Sequence, residues 1–253
     1  APTIRPASSG AVRLRRAVLG IVLLAAVLMR VPALDRVPNG FFLDEASRGY
    51  DAYALSTTGA DQYGVRWPLF AEGLDDYTPA LFTYLVVPFV AVLGPTELAV
   101  RLPAALAGVA TVGLTYLLAG RTFGPWVGLG AAALLAISPW HILPSRTGAE
   151  WVLLPLFTVL GVWLLDHGRH DGRLLIGAGA VLGVGLYSYA FARLLVPLLL
   201  AGYVSLYRHD LRAHLRAALG GLALLVLLAI PVVQFGATPA GQARLRTVVP
   251  LDR

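Results

Sequence analysis

The chain has 253 residues, of which 57% are hydrophobic and 13% are charged. Soluble domains have about 45–50% apolar and about 25% charged residues, so this composition excludes an ordinary soluble domain and indicates a polytopic membrane protein. The net charge is +6, but the twenty basic residues are all arginines scattered between apolar runs. Nucleic-acid binding needs a clustered basic surface, so no nucleic-acid partner is predicted. Cysteine is absent, which excludes a disulfide framework or a thiolate metal site.

Apolar runs close to the length of a membrane helix, about 20 residues, recur along the chain. The first extends over residues 17–34 and ends in Met29-Arg30-Val31-Pro32, which is no signal cleavage site, so it is predicted to be retained. The predicted spans are 17–34, 98–120, 125–140, 151–165, 173–190, 193–207 and 217–235. Backbone amides need internal partners in lipid, so the spans are predicted to be helices. The predicted fold class is all-α, a polytopic transmembrane helical bundle of about seven spans.

Small residues on one predicted span should let neighbouring helices approach each other closely. They are Gly177, Gly179, Gly183 and Gly185. We therefore predict a packing role for them rather than a binding role.

The first loop, residues 35–97, is the polar part of the chain. Nine of the fourteen acidic residues lie in it: Asp35, Asp44, Glu45, Asp51, Asp61, Glu72, Asp75, Asp76 and Glu97. A single acidic residue at the bilayer centre costs about 2.5–3.5 kcal/mol, so this loop is predicted to face water. Its tryptophan and tyrosine residues favour the membrane boundary, which predicts juxtamembrane helices and turns.

The segment Pro79 to Gly94 leaves two topologies open. If it lies in the interface, the short loops on one side carry ten arginines, as the positive-inside rule expects for the cytoplasm. They are Arg5, Arg13, Arg15, Arg16, Arg121, Arg169, Arg173, Arg208, Arg212 and Arg216. Arg244, Arg246 and Arg253 fall on the other side, and counting them makes the two topologies equal. We favour the interfacial topology, which places residues 35–97, 141–150 and the turn at Arg193 outside the cell.

Two adjacent carboxylates, Asp44 and Glu45, follow the first span directly. A carboxylate at the water boundary can accept a proton from an attacking hydroxyl or hold a divalent cation, so both are candidate catalytic residues and a candidate metal site. The alternative is that Asp44 caps a helix that begins near Glu45, a role that aspartate fills well.

Other polar and aromatic residues on the same predicted side are candidates for binding a sugar substrate. They are Tyr50, Asp61, Tyr63, Asp76, Tyr77, Glu150 and Tyr189. The alternative is a structural loop in contact with lipid. His141 has no second histidine at metal-ligand spacing, so we predict a loop histidine and no metal ligand.

Arg146 and Arg193 are predicted at the outer membrane boundary and are candidates for binding a lipid phosphate. The planar guanidinium makes paired, charge-assisted hydrogen bonds and stays charged. The alternatives are that they reach to lipid headgroups, or that they pair with Glu150 or another carboxylate of the loop.

Taken together, these stretches resemble the family 39 C-type membrane glycosyltransferases, which include dolichyl-phosphate-mannose protein mannosyltransferases and lipid A aminoarabinose transferases. The ordered set from about residue 17 to 250 carries the resemblance. Its pieces are Asp44-Glu45, Gly49–Tyr53, Gly59–Gly64, Trp67–Phe70, Tyr77-Thr78-Pro79, Arg101–Leu106, Ser138–His141, Ser145-Arg146 and the tyrosine-rich turn ending in Arg193.

The resemblance implies a polyprenyl-phosphate sugar donor, an extracytoplasmic active site and inversion at the sugar carbon. Asp44 would be the base, Glu45 would support it or help to hold a metal, and Arg146 or Arg193 would neutralise the departing phosphate. Relatives often have Lys-Pro-Pro where this chain has Thr78-Pro79-Ala80, and Glu150 matches an acidic position only with a shift. In the family, the segment from Pro79 is a juxtamembrane helix.

The resemblance also implies a multi-pass protein of the bacterial inner membrane that acts on a protein, glycan or lipid acceptor. Family members are longer, so residues 1–253 are expected to form one transmembrane domain at the N-terminal part of such a protein. Two other classes remain open: a transporter or lipid flippase, which should place charges near the membrane midplane, and a membrane scaffold subunit.

Overall fold

The computed structural model describes residues 9–73 and 77–242, and it is almost entirely helical. The helices are α1 (Ser9–Arg30), α2 (Leu43–Thr58), α3 (Leu81–Leu93), α4 (Glu97–Phe123), α5 (Pro125–Ile137), α6 (Pro139–Arg146), α7 (Leu153–Gly168), α8 (Arg173–Gly185), α9 (Ala192–Ala213) and α10 (Leu215–Gly236). A short 3₁₀ helix, Glu150–Val152, precedes α7. Strands β1 (Phe70–Glu72) and β2 (Tyr77–Pro79) form an antiparallel hairpin in which Phe70 lies opposite Pro79.

The helical membrane fold agrees with the sequence prediction, but the count of seven spans is not confirmed. Within the described residues, three helical segments are long and apolar enough to cross a membrane: α4, Glu150–Gly168 and α10. A fourth arises if α5 and α6, bent by 56°, are one broken span. Helices α1 and α9 are long but contain arginines, and α8 is short because the chain turns at residues 186–188.

The helix ends sort into two groups, which we call the loop end and the arginine end. The loop end carries residues 31–42, α2 and the hairpin. The arginine end carries Arg121, Arg169, Arg208 and Arg212. Side-chain contacts hold each end together: Arg30 at the end of α1 donates to the carbonyl oxygen of Ala136 at the end of α5. Arg121 at the end of α4 pairs with Asp166 near the end of α7.

Helix α3 begins and ends at the loop end. It follows the hairpin, and it packs Phe82, Val86 and Val90 against a core formed with α2, α4 and the start of α7. The next helix, α4, begins at Glu97, whose carboxylate lies 3.1 Å from Arg101 Nη1 at this same end. The path of the chain favours the interfacial topology for Pro79 to Gly94. A membrane-spanning α3 would place the start of α4 at the arginine end, but α4 begins at the loop end.

Close glycine contacts set two of the helix crossings. A Cβ atom on Gly179 of α8 would overlap the carbonyl oxygen of Gly221 of α10, and one on Gly183 would lie 2.7 Å from Leu228 Cδ1. On α4 and α5, a Cβ on Gly128 would lie 2.6 Å from Gly120 Cα. The predicted packing role is therefore clear for Gly179 and Gly183. A Cβ on Gly185 would lie 3.0 Å from Phe157 Cβ, and one on Gly177 would make only an ordinary contact at 3.9 Å from Leu164.

Candidate functional site

Two arginines fix the segment that leads into α2. Arg146 of α6 donates to the carbonyl oxygens of Met29, Pro32, Ala33 and Val37, at 2.8 to 3.4 Å. Arg101 of α4 donates to those of Leu34, Pro38 and Gly40, at 2.6 to 3.3 Å. Residues 31–42 therefore have a defined path across the loop end, and α2 starts at a fixed place.

Glu45, in the first turn of α2, is the buried anchor of this end, with 1% of its surface exposed. Arg101 donates to both of its oxygens, at 2.9 Å from Nε and 3.0 Å from Nη2. The backbone N–H groups of Gly148 and Phe42 donate to it as well, at 2.6 and 3.0 Å. Burial raises the pKa of Glu45, but Arg101 and the two N–H groups outweigh burial and hold this pKa below its ordinary value. Glu45 is therefore a carboxylate at neutral pH.

These contacts do not fit a cation shared by Asp44 and Glu45. Each oxygen of Glu45 already accepts one bond from Arg101 and one from a backbone N–H. Across residues 9–73 and 77–242, no group of three or more His, Asp or Glu side chains is arranged to hold a metal ion. In this arrangement both oxygens of Glu45 anchor the loop end to α4 and to the segment before α7.

Asp44 is far more exposed than Glu45, although both residues line the same cavity. Its side chain is 66% exposed, and it lies at a cavity of about 350 Å³ between the start of α2, α6 and the 3₁₀ helix. The walls include Phe42, Trp140, Leu143, Pro144, Thr147 and Trp151. Capping does not explain Asp44, because the N-cap residue is Phe42 and the carboxylate that accepts its N–H is that of Glu45. Asp44 is thus a solvent-accessible carboxylate on an apolar pocket.

Arg48, one turn along α2, lies between two carboxylates. It is 7% exposed; Nη2 pairs with Glu150, and Nη1 lies 3.9 Å from Asp44 Oδ2. Nη1 makes no hydrogen bond within the described part of the chain. Glu150, a predicted substrate-binding residue, is 3% exposed and occupied by Arg48. Its position supports Arg48 rather than offering a free contact to a ligand.

The middle of the loop is held by two more carboxylates. Asp51 is buried and accepts the N–H of Gln62 at 3.0 Å; burial raises its pKa, although the Gln62 N–H opposes this. Asp61 accepts the N–H groups of Tyr63 and Val65 at 3.0 and 2.8 Å, which closes the turn. Asp61, predicted to bind substrate, is therefore placed as a turn residue.

The predicted aromatic residues lie in two groups. Tyr50 and Tyr63 are more than half exposed on α2 and its following turn. Tyr77, on the hairpin, contacts the ring of Phe235 at 5.6 Å, while Phe70 stacks on Phe235 at 4.0 Å and so ties the hairpin to α10. Tyr189 is partly exposed in the turn before α9. Asp76, also predicted, lies outside the described residues.

Arg146 and Arg193, the two candidates for binding a phosphate, differ in how many of their hydrogen-bond donors are free. Arg146 donates four bonds to backbone carbonyls, so a phosphate would have to compete with the contacts that fix residues 31–37. Arg193 lines a cavity of about 500 Å³ whose other walls, from α8, α9 and α10, are apolar. Its Nε is buried and has no hydrogen-bond partner among the described residues. Arg193 is therefore the better candidate for binding a phosphate.

Three buried arginines of the loop end were given no role by the sequence reasoning. Besides Arg48 and Arg101, Arg30 is fully buried and donates to Leu135, Ala136 and His141 Nδ1, the last at 2.9 Å. His141, predicted as a loop histidine, lies in α6; its Nδ1 has Arg30 as a partner, whereas its buried Nε2 has none among the described residues. A signal was present, because an arginine at the end of an apolar run costs free energy in lipid unless it finds acceptors.

The fold and this site define a class: a polytopic helical membrane protein whose first loop presents an exposed carboxylate beside a buried acid–arginine pair. A family model described as dolichyl-phosphate-mannose-protein mannosyltransferase matches residues 77–235, and the chain belongs to that family.

Two Bacillus subtilis (strain 168) proteins are similar in sequence. "Putative mannosyltransferase YkcB" is 32% identical over 134 residues, which are 52% of this chain and 19% of that protein. YycA, which carries the same description, is 28% identical over 152 residues, 59% of this chain and 22% of that protein. The chain therefore spans about a fifth of the length of these relatives.

Two crystal structures of ArnT from Cupriavidus metallidurans share the fold. The structure bound to undecaprenyl phosphate has a TM-score of 0.60 at 20% identity and covers 89% of this chain and 41% of that one. The apo structure has a TM-score of 0.62 at 17% identity and covers 97% and 45%. The likeness establishes a common helical membrane architecture.

Proposed function

We propose that the chain is the N-terminal part of a membrane glycosyltransferase that moves a sugar from a polyprenyl phosphate to an acceptor hydroxyl outside the cytoplasm, with inversion. Membership of the mannosyltransferase family and the fold shared with ArnT, which binds undecaprenyl phosphate, support this class of reaction. The observation that carries it is the exposure of Asp44 at an apolar cavity while Glu45 beside it is buried.

Asp44 serves as the general base. Its carboxylate takes the proton of the acceptor hydroxyl as the hydroxyl oxygen bonds to the anomeric carbon. The bond between that carbon and the donor's phosphate oxygen breaks, and the electron pair leaves with the polyprenyl phosphate. A single displacement inverts the configuration. Glu45 cannot take this role, because Arg101 and two N–H groups occupy its oxygens.

Two arginines assist this step in different ways. Arg48 lies one turn along α2 from Asp44, and its unbonded Nη1, 3.9 Å from Oδ2, limits the orientation of the carboxylate. Arg193 supplies charge stabilisation for the departing phosphate, because its guanidinium has free donors at an apolar cavity. Since Thr78 stands where relatives often have lysine, more of that stabilisation falls on Arg193.

The first test is a transfer assay with defined polyprenyl-phosphate sugars on the intact protein. Loss of a general base lowers the rate by about 10²–10⁴-fold, so Asp44→Asn should be slower by that factor. The matched control is Asp35→Asn, an exposed carboxylate of the same loop that lies beside Arg36. Equal rates for Asp44→Asn and the wild type would refute the assignment.

The second test concerns the side of the membrane. The chain contains no cysteine, so Asp44→Cys and Arg208→Cys introduce single thiols into it. A membrane-impermeant maleimide should label Asp44→Cys on intact cells and Arg208→Cys only after permeabilisation. The reverse pattern would place the site in the cytoplasm and exclude the proposed reaction side.

A further inference from the structure

A second region, far from Asp44, has the features of a binding site for a different molecule. Two cavities adjoin along the seam between α9 and α10, one of about 350 Å³ at the arginine end and one of about 500 Å³ at the loop end. Leu200, Leu222 and Leu225 line both. Helix α10 packs tightly on α8 through Gly179 and Gly221, but it makes few contacts with α9. An apolar cleft therefore opens along this seam.

Two arginines stand where the cleft reaches the arginine end. Arg208 and Arg212 both line it, and they lie four residues apart, on the same face of α9. Both are exposed, and neither has an ion pair or hydrogen bond in the part of the chain that the structure describes. The mouth of an apolar cleft thus carries two positive charges that nothing in the described chain neutralises.

The nearby acidic residues are already committed elsewhere. Asp210 lies between the two arginines in sequence, but it pairs with Arg169 Nε at 2.6 Å. Asp166 contacts both Arg121 and Arg169. A break in helical geometry at Tyr207 (φ −117°, ψ 22°) accompanies this arrangement, and the Tyr207 ring lies 4.1 Å from the Arg169 guanidinium. Arg169 therefore keeps Asp210 from competing for Arg208 and Arg212.

The walls decide what kind of ligand fits. They are leucine, valine, alanine and glycine apart from the arginines and Tyr203, whose hydroxyl is used on the carbonyl oxygen of Leu165 at 2.6 Å. A free phosphate would gain nothing from such walls. An anionic lipid fits both the arginines and the apolar walls. Paired guanidinium groups bind a phosphate well, basic pockets between membrane helices bind anionic headgroups, and the apolar walls can hold an acyl chain. Leu200 and Val204 line the cleft on the α9 side before Arg208, so a hydrocarbon chain has an apolar wall there.

We propose that this cleft binds one anionic membrane phospholipid, with its phosphate at Arg208 and Arg212 and an acyl chain between α9 and α10. Arg208 and Arg212 do not belong to the proposed transfer site, although the adjoining loop-end cavity is the one that Arg193 lines. The proposal predicts a lipid that stays with the protein and fills the cleft between α9 and α10.

Native mass spectrometry of the intact, delipidated protein tests this with two lipids of identical acyl chains. Phosphatidylglycerol should be retained as one bound copy, and phosphatidylcholine should be retained at least tenfold less. Arg208→Gln/Arg212→Gln should abolish the preference. Arg13→Gln/Arg16→Gln, which removes the same charge from exposed positions on α1, should retain it.

A second variant separates binding in the cleft from adsorption to a basic surface. Val204→Trp keeps both arginines but fills the lining of the cleft, so phosphatidylglycerol retention should fall although the charge is unchanged. Unchanged retention in Val204→Trp, or equal losses in the two arginine pairs, would overturn the proposal. Retention of undecaprenyl phosphate in place of phosphatidylglycerol would overturn it too, because the occupant would then be a donor-type lipid.

Discussion

The two ends of the bundle use the same chemical pair, arginine with a carboxylate, to different effect. At the loop end, the side chains of Arg101 and Glu45 are 0% and 2% exposed. At the arginine end, those of Arg169 and Asp210 are 29% and 39% exposed. A buried pair fixes positions because neither partner tolerates the loss of the other, whereas water replaces either partner of an exposed pair. Burial therefore determines which arginines are structural.

The largest expected effect comes from breaking the buried pair. Arg101→Met leaves Glu45 as an unpaired buried carboxylate, which should cost about 3–5 kcal/mol of folding free energy. Thermal unfolding in detergent measures this loss. Adding Glu45→Gln should recover part of it but not all, since Arg101 also binds carbonyl oxygens of residues 34–40. A single variant as stable as the wild type would show that the pair is not structural.

A second prediction concerns the close crossing of α8 and α10. Gly179→Ala places a methyl group against the Gly221 carbonyl and should destabilise the protein by about 1–3 kcal/mol, as overpacking does. Gly130→Ala on α5 is the matched control, because a Cβ there meets nothing within 4 Å. The control should be neutral or slightly stabilising, since alanine is the better helix former. Equal changes in stability for Gly179→Ala and Gly130→Ala would contradict the close approach of α8 and α10.

A smaller effect should appear with pH at the loop end. The folded-state pKa of Glu45 lies below its ordinary value of 4.5, so its ionised form stabilises the fold above about pH 4.5. This contribution is lost as the pH falls through the lower folded-state value. The wild type should therefore lose more stability between pH 5 and pH 3 than Glu45→Gln/Arg101→Met, as followed by melting temperature. Parallel curves for the two proteins would exclude a depressed pKa.

The smallest effect is expected at the arginine end. Arg169→Gln removes two partly exposed ion pairs, with Asp166 and Asp210, each worth about 0–1 kcal/mol. The loss should shrink further in high salt, because exposed charges are screened. The same melting assay, run beside Arg101→Met, compares the two ends directly. A loss as large as that of Arg101→Met would contradict the contrast drawn from burial.

Much of the architecture follows from the sequence, because apolar length decides where helices form. Each of the seven predicted spans contains a helix, and the glycines of α8 pack as expected at Gly179 and Gly183. The sequence predicts less directly which of those helices cross the membrane. Arginines near the ends of α1 and α9 make the limits of the apolar segments there hard to place.

The sequence also predicts part of the candidate site, but from charged residues rather than from apolar length. Adjacent carboxylates after an apolar run indicate a polar boundary, but spacing cannot tell which of the two is buried. That depends on Arg101, 56 residues away along the chain, and on the N–H of Gly148, 103 residues away. Arg146 looked like a phosphate ligand because arginines suit phosphate, and the sequence gives no sign that backbone carbonyls occupy it. Long-range partners of this kind are set by packing.

The bonds from Arg101 and Arg146 to residues 29–40 end on backbone carbonyl oxygens. Every amino acid has such an oxygen, so the exposed side chains of this stretch, unlike the buried Arg30 and Leu34, are free to vary as long as its length is kept. Among relatives, evolutionary drift should be fast in the stretch and slow at the two arginines. One inserted residue should do more harm there than several substitutions, because it would shift each oxygen away from its donor.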